Sequence, residues 1–450
     1  MKIFCHTLVR LKITLYFCTA RIRHASRRTA YQGGTFCLYR LMIYTNPPLS
    51  TTTLIANLKT DGLSVNDENF AEDFLNNVSY FRFNAYLRPF EDVNGSIRFK
   101  PNATFDKAVA LYLFDAELRN LLFSKRLRTF AVTVPTTLPI KQRTRVGLLL
   151  FIRMRYSKQP LDYPEILKLL KSRGLIIRDE SMAIECLKVV SYFRLDNYFH
   201  PMESDKIRHI FKPNSYFENA VDLYEFDRDL RELIFTAIQA IEIALRSKMI
   251  HHISLRYGAF WFTNTSLFRD ANIHRKCMEQ VRLELGRTRE EFIIEHAAKY
   301  SEPDVPPVWK TLEVTSFGTL SKLFCNFSDN PIKKQIAREF NLPQHLVLES
   351  WIKSAVVLRN YLAHHSRVWN RKYPIKPNMT TPLRGNWVTS PIGNYDKLYS
   401  QLCYLQYLLN VIRPNNNFTQ RLHALLGNHP NVDIAAMGFP HNWQDQPLWR

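Results

Sequence analysis

An all-α fold is predicted for this 450-residue chain by three observations. Only 13 glycines are present, too few for a sheet protein with many tight turns. The long segments are rich in Leu, Ile, Glu, Lys and Arg, residues that lose little on entering a helix. Apolar positions recur at helical spacing, and no stretch alternates as a half-buried strand would. A hydrophobic content of 46%, with 13% aromatic residues, implies a packed core rather than disorder.

From the N-terminus, residues 1–53 read as an irregular basic leader. The stretch "MKIFCHTLVRLKITLYFCTARIRHASRR" has the look of a signal peptide. Arg10 and Lys12 interrupt its apolar run, however, and no small-residue cleavage site follows, so neither a signal nor an anchor is expected. Residues 54–122 are a partial copy of what comes later. "NNVSYFRFNAYLRPF" (76–90) matches "KVVSYFRLDNYFHPM" (188–202) at an offset of 112 residues. The same offset carries Gly62-Leu63 to Gly174-Leu175, Phe99–Asn102 to Phe211–Asn214, and "AVALYLFDAELRNLL" to "AVDLYEFDRDLRELI". After Leu122 the match stops, and 123–160 read as an irregular basic linker. Two copies do not make a solenoid, which needs at least about three stacked units. The first copy ends before the segment "LRNYLAHHSRVWNR" (358–371) and is therefore expected to lack whatever chemistry that segment performs.

Residues 161–450 are expected to form one complete helical domain. "PEILKLLKSRG" carries Ile166, Leu169 and Leu170 on one face and stops at Gly174, a C-terminal cap. "ESMAIECLKVVSYFRLDNY" follows, then a long helical stretch from Ser215 to Gly258 with one expected break. "PPVWKTLEVTSFGTLSKLFCNF" begins after paired prolines, and "PIKKQIAREFNL", "LVLESWIKSAVVLRNYLA", "NYDKLYSQLCYLQYLLNVI" and "FTQRLHALLGNHP" complete the helices.

Composition excludes several classes. The seven cysteines are scattered with no CxxC pair, which argues against a zinc ribbon or a disulfide framework and fits a reducing cytoplasm. No apolar run reaches the ~18 residues of a membrane span. "VGLLLFI" (146–152) is short and flanked by arginines. The net charge of +21 is uneven: residues 1–160 hold 24 Lys/Arg against 10 Asp/Glu, and residues 351–400 hold eight against one. A local basic field of this kind suits a polyanion, although a merely solvated basic face has the same composition.

The second field contains "LRNYLAHHSRVWNR" (358–371), with three arginines, two histidines and two asparagines at the end of an amphipathic helix. At about 100° per residue, Trp351, Ile352, Ala355, Leu358 and Leu362 form one apolar stripe and Arg359 falls inside it. Asn360, His364 and Arg367 form a polar shoulder. A buried guanidinium needs a carboxylate or an anionic ligand, and Glu242 and Glu313, on apolar helices, are the candidate partners. In one reading Arg359 pairs internally and His364 caps the helix. In the other the two cut RNA: histidine titrates near neutrality and moves the 2′-hydroxyl proton, while arginine stabilises charge on phosphorus. Neither role needs a metal, and no HExxH or carboxylate cluster supplies ligands. The pairs His251-His252 and His364-His365 are expected to face solvent or cap helices. Along one helix Arg359 and His364 lie about 7.5 Å and about 140° apart, so two helices meeting across a two-fold axis would assemble a joint site.

"PEILKLLKSRGLIIRDE", "VSYFRLDNYFHPM", "LYEFDRDLRELIFTAIQAIEIALRSKMIHHIS", "PPVWKTLEVTSFGTLSKL", "LRNYLAHHSRVWNR" and "VDIAAMGFPHNW", in this order, resemble the Abi-like (abortive infection) family of bacteria, placed in the HEPN superfamily of helical ribonucleases. The resemblance covers Leu161 to Arg450, and the partial copy matches the family's beginning again. It implies a HEPN-like helical bundle and places the R-N-x-x-x-H signature on Arg359, Asn360 and His364. It further implies metal-independent endoribonuclease chemistry leaving 2′,3′-cyclic phosphate ends, at a dimeric site, in phage defence, with RNA as substrate, an antitoxin as a further partner and no cofactor. Glu242 and Arg246, four residues apart on "IEIALR", are supporting candidates or an ordinary helix ion pair; Arg367 is a candidate RNA contact. A non-catalytic RNA- or partner-binding module, and a decayed fusion product, are the rival readings. The N-terminal 160 residues depart from the family pattern.

Overall fold

Short helices in both copies begin at a side chain that satisfies an otherwise unpaired backbone amide. Ser50 accepts from Thr53 N, Asp67 from Phe70 N and Asp179 from Met182 N, while Asp162 and Glu165 close a capping box. In the computed structural model, which describes residues 49–92, 98–126, 159–379, 383–390 and 392–450, the first copy forms α1 (Thr51–Thr60), α2 (Glu68–Asn77), α3 (Tyr80–Leu87) and α4 (Phe105–Arg126). The second forms α5 (Tyr163–Ser172), α6 (Glu180–Val189), α7 (Tyr192–Phe199) and α8 (Phe217–Tyr257). Every helix start in the first copy recurs 112 residues on, and so do the bridges Ser64 to Thr104 and Ile176 to Tyr216. The packing considered below lies within Thr45–Ala298 and Asp304–Arg450, one unit of the chain. Residues 1–48 and 127–158, which hold most of the leader and linker read from the sequence, are outside the described residues.

Two sequence expectations are corrected here. The long stretch expected to break once is a continuous 41-residue helix; it holds no proline and no glycine before Gly258, so nothing in it interrupts the ladder. A small antiparallel pair, β1 (Glu203–Asp205) and β2 (Ile210–Phe211), also joins α7 to α8. Its strands are too short for alternation to register in the sequence. Gly174 takes up φ +92 after α5, as its expected capping role requires, and the carbonyl of Phe211 lies 3.8 Å from where a Cβ would stand.

The remaining helices are α9 (Ala271–Arg287), α10 (Glu291–Lys299), α11 (Val308–Val314), α12 (Phe317–Asn326), α13 (Asn330–Glu339), α14 (His345–Ala363), α15 (Leu398–Ile412) and α16 (Phe418–Asn428). Helix α8 is the axis of the fold. Its first turns close the small core of α5–α7 through Phe217 and Ala220. Its middle and end, from Phe226 to Ile253, lie in the main core with α11–α15. The first copy has its own core around Phe83, Phe105 and Tyr112, against which Ile243 of α8 packs. The copy is anchored there by Ser247 Oγ, which donates to Leu75 O at 3.3 Å, and by Ser79 and Arg82, which bind Glu313 at 2.7 and 2.8 Å. Among the described residues no helix is long and apolar enough to cross a membrane, and the four cysteines there are free.

Candidate functional site

Helix α14 buries the predicted stripe: Trp351, Ile352, Ala355, Leu358 and Leu362 are at most 1% exposed. Trp351 stacks on Tyr404 of α15 with ring centroids 5.6 Å apart, and its indole N–H donates to Asn378 O at 2.7 Å. Burying both the ring and its satisfied donor clamps this helix rotationally. Arg359, one residue past Leu358, is half-buried at the edge of the stripe, whereas Asn360 and His364 are exposed.

The helix ends at Ala363 because the next residues cap it. His365 takes φ +53, its amide donates to Leu362 O, and the Ser366 amide reaches back to Tyr361 O at 2.8 Å. This is a Schellman-type cap with histidine where glycine is usual, at a cost of about 1–2 kcal/mol. The expected capping role of His364-His365 is thus observed. Arg367 is corrected: it lies past the cap and not on the helix shoulder. Its guanidinium donates to Trp369 O at 3.1 Å and Asn370 O at 3.4 Å, folding it against the returning chain.

What holds that chain is Asp227 of α8, fully buried. One carboxylate oxygen accepts from the amides of Val368 and Trp369 at 3.0 and 2.6 Å; the other accepts from Tyr198 OH at 2.7 Å and Arg231 Nη1 at 2.9 Å. Arg194 and Arg231 donate to His365 O at 2.6 and 3.4 Å. Burial, then Arg231 and Arg194, push the His365 imidazole below its ordinary range. Sequence reading missed Asp227. Its signal was the repeat itself, because Tyr86 and Asp115 form the same hydrogen bond, at 2.5 Å, in the first copy.

Neither carboxylate considered for Arg359 goes to it. Glu242 pairs with Arg246 at 2.8 Å along α8, and Glu313 binds Arg82. Arg246 is 4% exposed and also donates to Thr315 O at 3.1 Å. Among the described residues no carboxylate lies within ion-pair distance of Arg359, whose nearest polar contact is Asn360 Oδ1 at 3.3 Å. The guanidinium instead lines a cavity of about 310 Å³ with Arg82, Tyr112, Gln239, Arg246 and Arg413. Arg413, at the C-terminus of α15, likewise has no carboxylate partner among the described residues. Two of the four guanidinium groups are thus compensated and two are not, so the cavity, which Glu242 also lines, has a predominantly positive wall. Arg82 and Tyr112 come from the first copy. That copy ends before the motif, as expected, and it also supplies part of the wall that Arg359 lines.

Two further expectations are corrected. His252 does not face solvent; it is bonded to Glu339, as is Lys248 at 2.9 Å. The sequence shows no histidine–carboxylate cluster, but the fold brings His200, Glu203 and His209 together.

The last part of the chain braces the segment after the motif. Lys397 donates to Asn370 Oδ1 and to Ala436 O, both at 2.9 Å. Gly438, at φ +88, is what lets "VDIAAMGFPHNW" approach: a Cβ there would meet Lys397 Cβ at 2.7 Å.

The family model of the Abi-like proteins matches residues 73–129 and 185–370, so the later part of each copy, from within α2 and α6 onward, and the Arg359 helix fall inside it. No curated protein and no solved structure matches the chain. The family's name refers to abortive infection, a defence in which infected bacteria stop the phage. With more than half of its residues matched, the anchored helix end and Arg82, Arg246 and Arg359 among them, the chain belongs to the Abi-like protein family.

Proposed function

We propose that this protein is an endoribonuclease of phage defence, cutting RNA at the end of α14. His364 takes the proton from a ribose 2′-hydroxyl. The 2′-oxygen attacks the adjacent phosphorus, the bond from phosphorus to the 5′-oxygen breaks, and the products are a 2′,3′-cyclic phosphate and a 5′-hydroxyl end. Arg359 holds the charge that develops on the phosphoryl oxygens, and Asn360, in contact with it, sets its direction. Glu242 and Arg246 hold the cavity wall. The step requires a base, a fixed cation and a proton for the departing 5′-oxygen, which the His364 imidazolium returns, and no metal ion enters it.

The observation that carries this reading is Arg359: half-buried, without a carboxylate partner among the described residues, and lining a cavity where Arg413 is equally uncompensated among them. A structural arginine would be paired, as Arg231 and Arg246 are. Arg359 lies in the last turns of α14 and His364 caps it, so a homodimer that brings two α14 ends together supplies base and cation to the same phosphate. An antitoxin would act by covering this face.

The test is cleavage of an end-labelled RNA by the full chain, with and without chelator, followed by identification of the new ends. Cyclic phosphate ends, persistence in EDTA, and loss of cutting in His364→Ala are expected; one acid–base group contributes about 10²–10⁴ in rate. RNA binding without cutting by the unaltered chain would make it a binding module instead. Undiminished cutting by His364→Ala would remove the helix end from the chemistry.

A further inference from the structure

The β1–β2 hairpin carries a cluster that neither the family match nor the proposed ribonuclease uses. Glu203 opens β1 with its side chain only 1% exposed. Both carboxylate oxygens face imidazoles: His200 Nδ1 lies 2.9 Å from one and His209 Nδ1 2.8 Å from the other. The two rings are roughly parallel, with centroids 6.2 Å apart, and they stand on the solvent side of the carboxylate with side chains 41% and 34% exposed. One ligand atom from each of the three residues falls within 4.8 Å of the others. The second nitrogen of His200 faces Asp196 Oδ2 at 3.8 Å, where an outer carboxylate orients a metal-bound imidazole.

The first copy provides an internal control. Its counterpart of Glu203 is Glu91, and there the charge is compensated by a guanidinium, Arg98, at 2.8 Å. The residues equivalent to His200, His209 and Ile210 are Arg88, Ile97 and Arg98. The second copy has therefore lost a permanent cation and gained two imidazoles around a more deeply buried carboxylate. A buried carboxylate with no fixed cation is costly. Two neutral imidazoles with a divalent ion compensate it as a guanidinium would, and at neutral pH imidazole alone is mostly uncharged. His209 is also held at φ +55, a left-handed conformation unusual for a residue other than Gly or Asn, which turns its ring back over Glu203.

We propose that His200, Glu203 and His209 bind a divalent transition-metal ion, zinc being the best fit to two imidazole nitrogens and one carboxylate oxygen with water in the fourth position. The ion cross-links the residue that follows α7 to β1 and to the turn leading into β2, so it is a structural staple. Arg194 and Tyr198 of α7 hold His365 and Asp227, and the ion thereby steadies the helix that positions the chain after the motif. None of its three ligands lines the Arg359 cavity, so the inference stands independently of the ribonuclease.

The experiment uses the full chain, stripped with chelator and desalted, titrated with Zn²⁺ by calorimetry and with Co²⁺ by visible absorption. The unaltered protein is expected to take up one ion per chain and to melt a few degrees higher with zinc in excess over its dissociation constant. The double variant His200→Gln/His209→Asn, in which Asn tolerates the left-handed backbone, is expected to bind at least about tenfold more weakly and to lose the melting shift. X-ray absorption of the zinc-loaded unaltered protein is expected to show two imidazoles and oxygen, a readout that does not depend on a variant folding. No uptake at micromolar zinc would reduce the cluster to a hydrogen-bonded triad and overturn the proposal. A sulfur shell, or equal binding by a folded double variant, would place the ion elsewhere and overturn the proposal.

Discussion

Replacing Asp227 by Asn tests whether the motif is held from below by one buried charge. The substitution keeps the volume and one acceptor oxygen but removes the charge. Arg231, 3% exposed, already leaves its Nε without a partner and would retain only neutral acceptors, among them His365 O at 3.4 Å. Breaking a buried ion pair from one side costs about 3–5 kcal/mol, and the surviving acceptor places Asp227→Asn near ~3 kcal/mol. Tyr198→Phe removes a single hydrogen bond to the same carboxylate and should cost ~1.5–3 kcal/mol. Asp227→Asn/Arg231→Met removes both charges and should recover part of the loss, because apolar side chains can replace a buried pair. Urea denaturation followed by circular dichroism and tryptophan fluorescence measures all three, and RNA cleavage should fall with Asp227→Asn because the amides of Val368 and Trp369 lose their anchor. A cost for Asp227→Asn within about 1 kcal/mol of zero, or a double variant no more stable than the single, would refute the reasoning.

Arg413→Ala, at an uncompensated guanidinium on the cavity wall, should weaken RNA binding and flatten its salt dependence, measured by fluorescence anisotropy at two salt concentrations; unchanged binding would leave the cavity without a role. Arg359→Ala should abolish cleavage while leaving the denaturation midpoint nearly unchanged, since no carboxylate is stranded by its loss. Burial, followed by Lys310, holds the His296 imidazole down at about 4, and His251, His345, His365 and His423 are lowered in the same direction, burial being the largest cause for each. Protonating these groups costs more in the folded state, so stability should be full above pH ~6.5 and decline as pH falls through that value toward about 4; denaturation at pH 7.5 and pH 5 checks the sign. Removing residues 1–160 should uncover Ile243 and take Arg82 from Glu313, lowering the midpoint of the remaining chain, and an unaltered midpoint would show that the first copy contributes nothing to α8.

The helical class, the 112-residue repeat, the apolar stripe of α14 and the identity of Arg359, Asn360 and His364 could all be read from the sequence. Helix formation and stripe spacing are set by local periodicity, and a gapless repeat is a matter of residue identity alone. The continuity of α8 was equally local, and the expected break simply had no proline or glycine to cause it. What the chain order could not reveal was which charges meet. Glu242 could be read either as a partner for Arg359 or as an ordinary ion pair with Arg246 one turn away, and only the packing decides for Arg246; Glu313 goes to Arg82, 231 residues before it. Arg367 looked helical until His365 adopted a left-handed cap and reversed the chain. Asp227 lies 141 residues before the Val368 amide that it holds, and His209 reaches Glu203 only because a hairpin folds back. Side-chain pairing at such separations depends on how α8 packs against α7 and α14, and only the tertiary structure decides that.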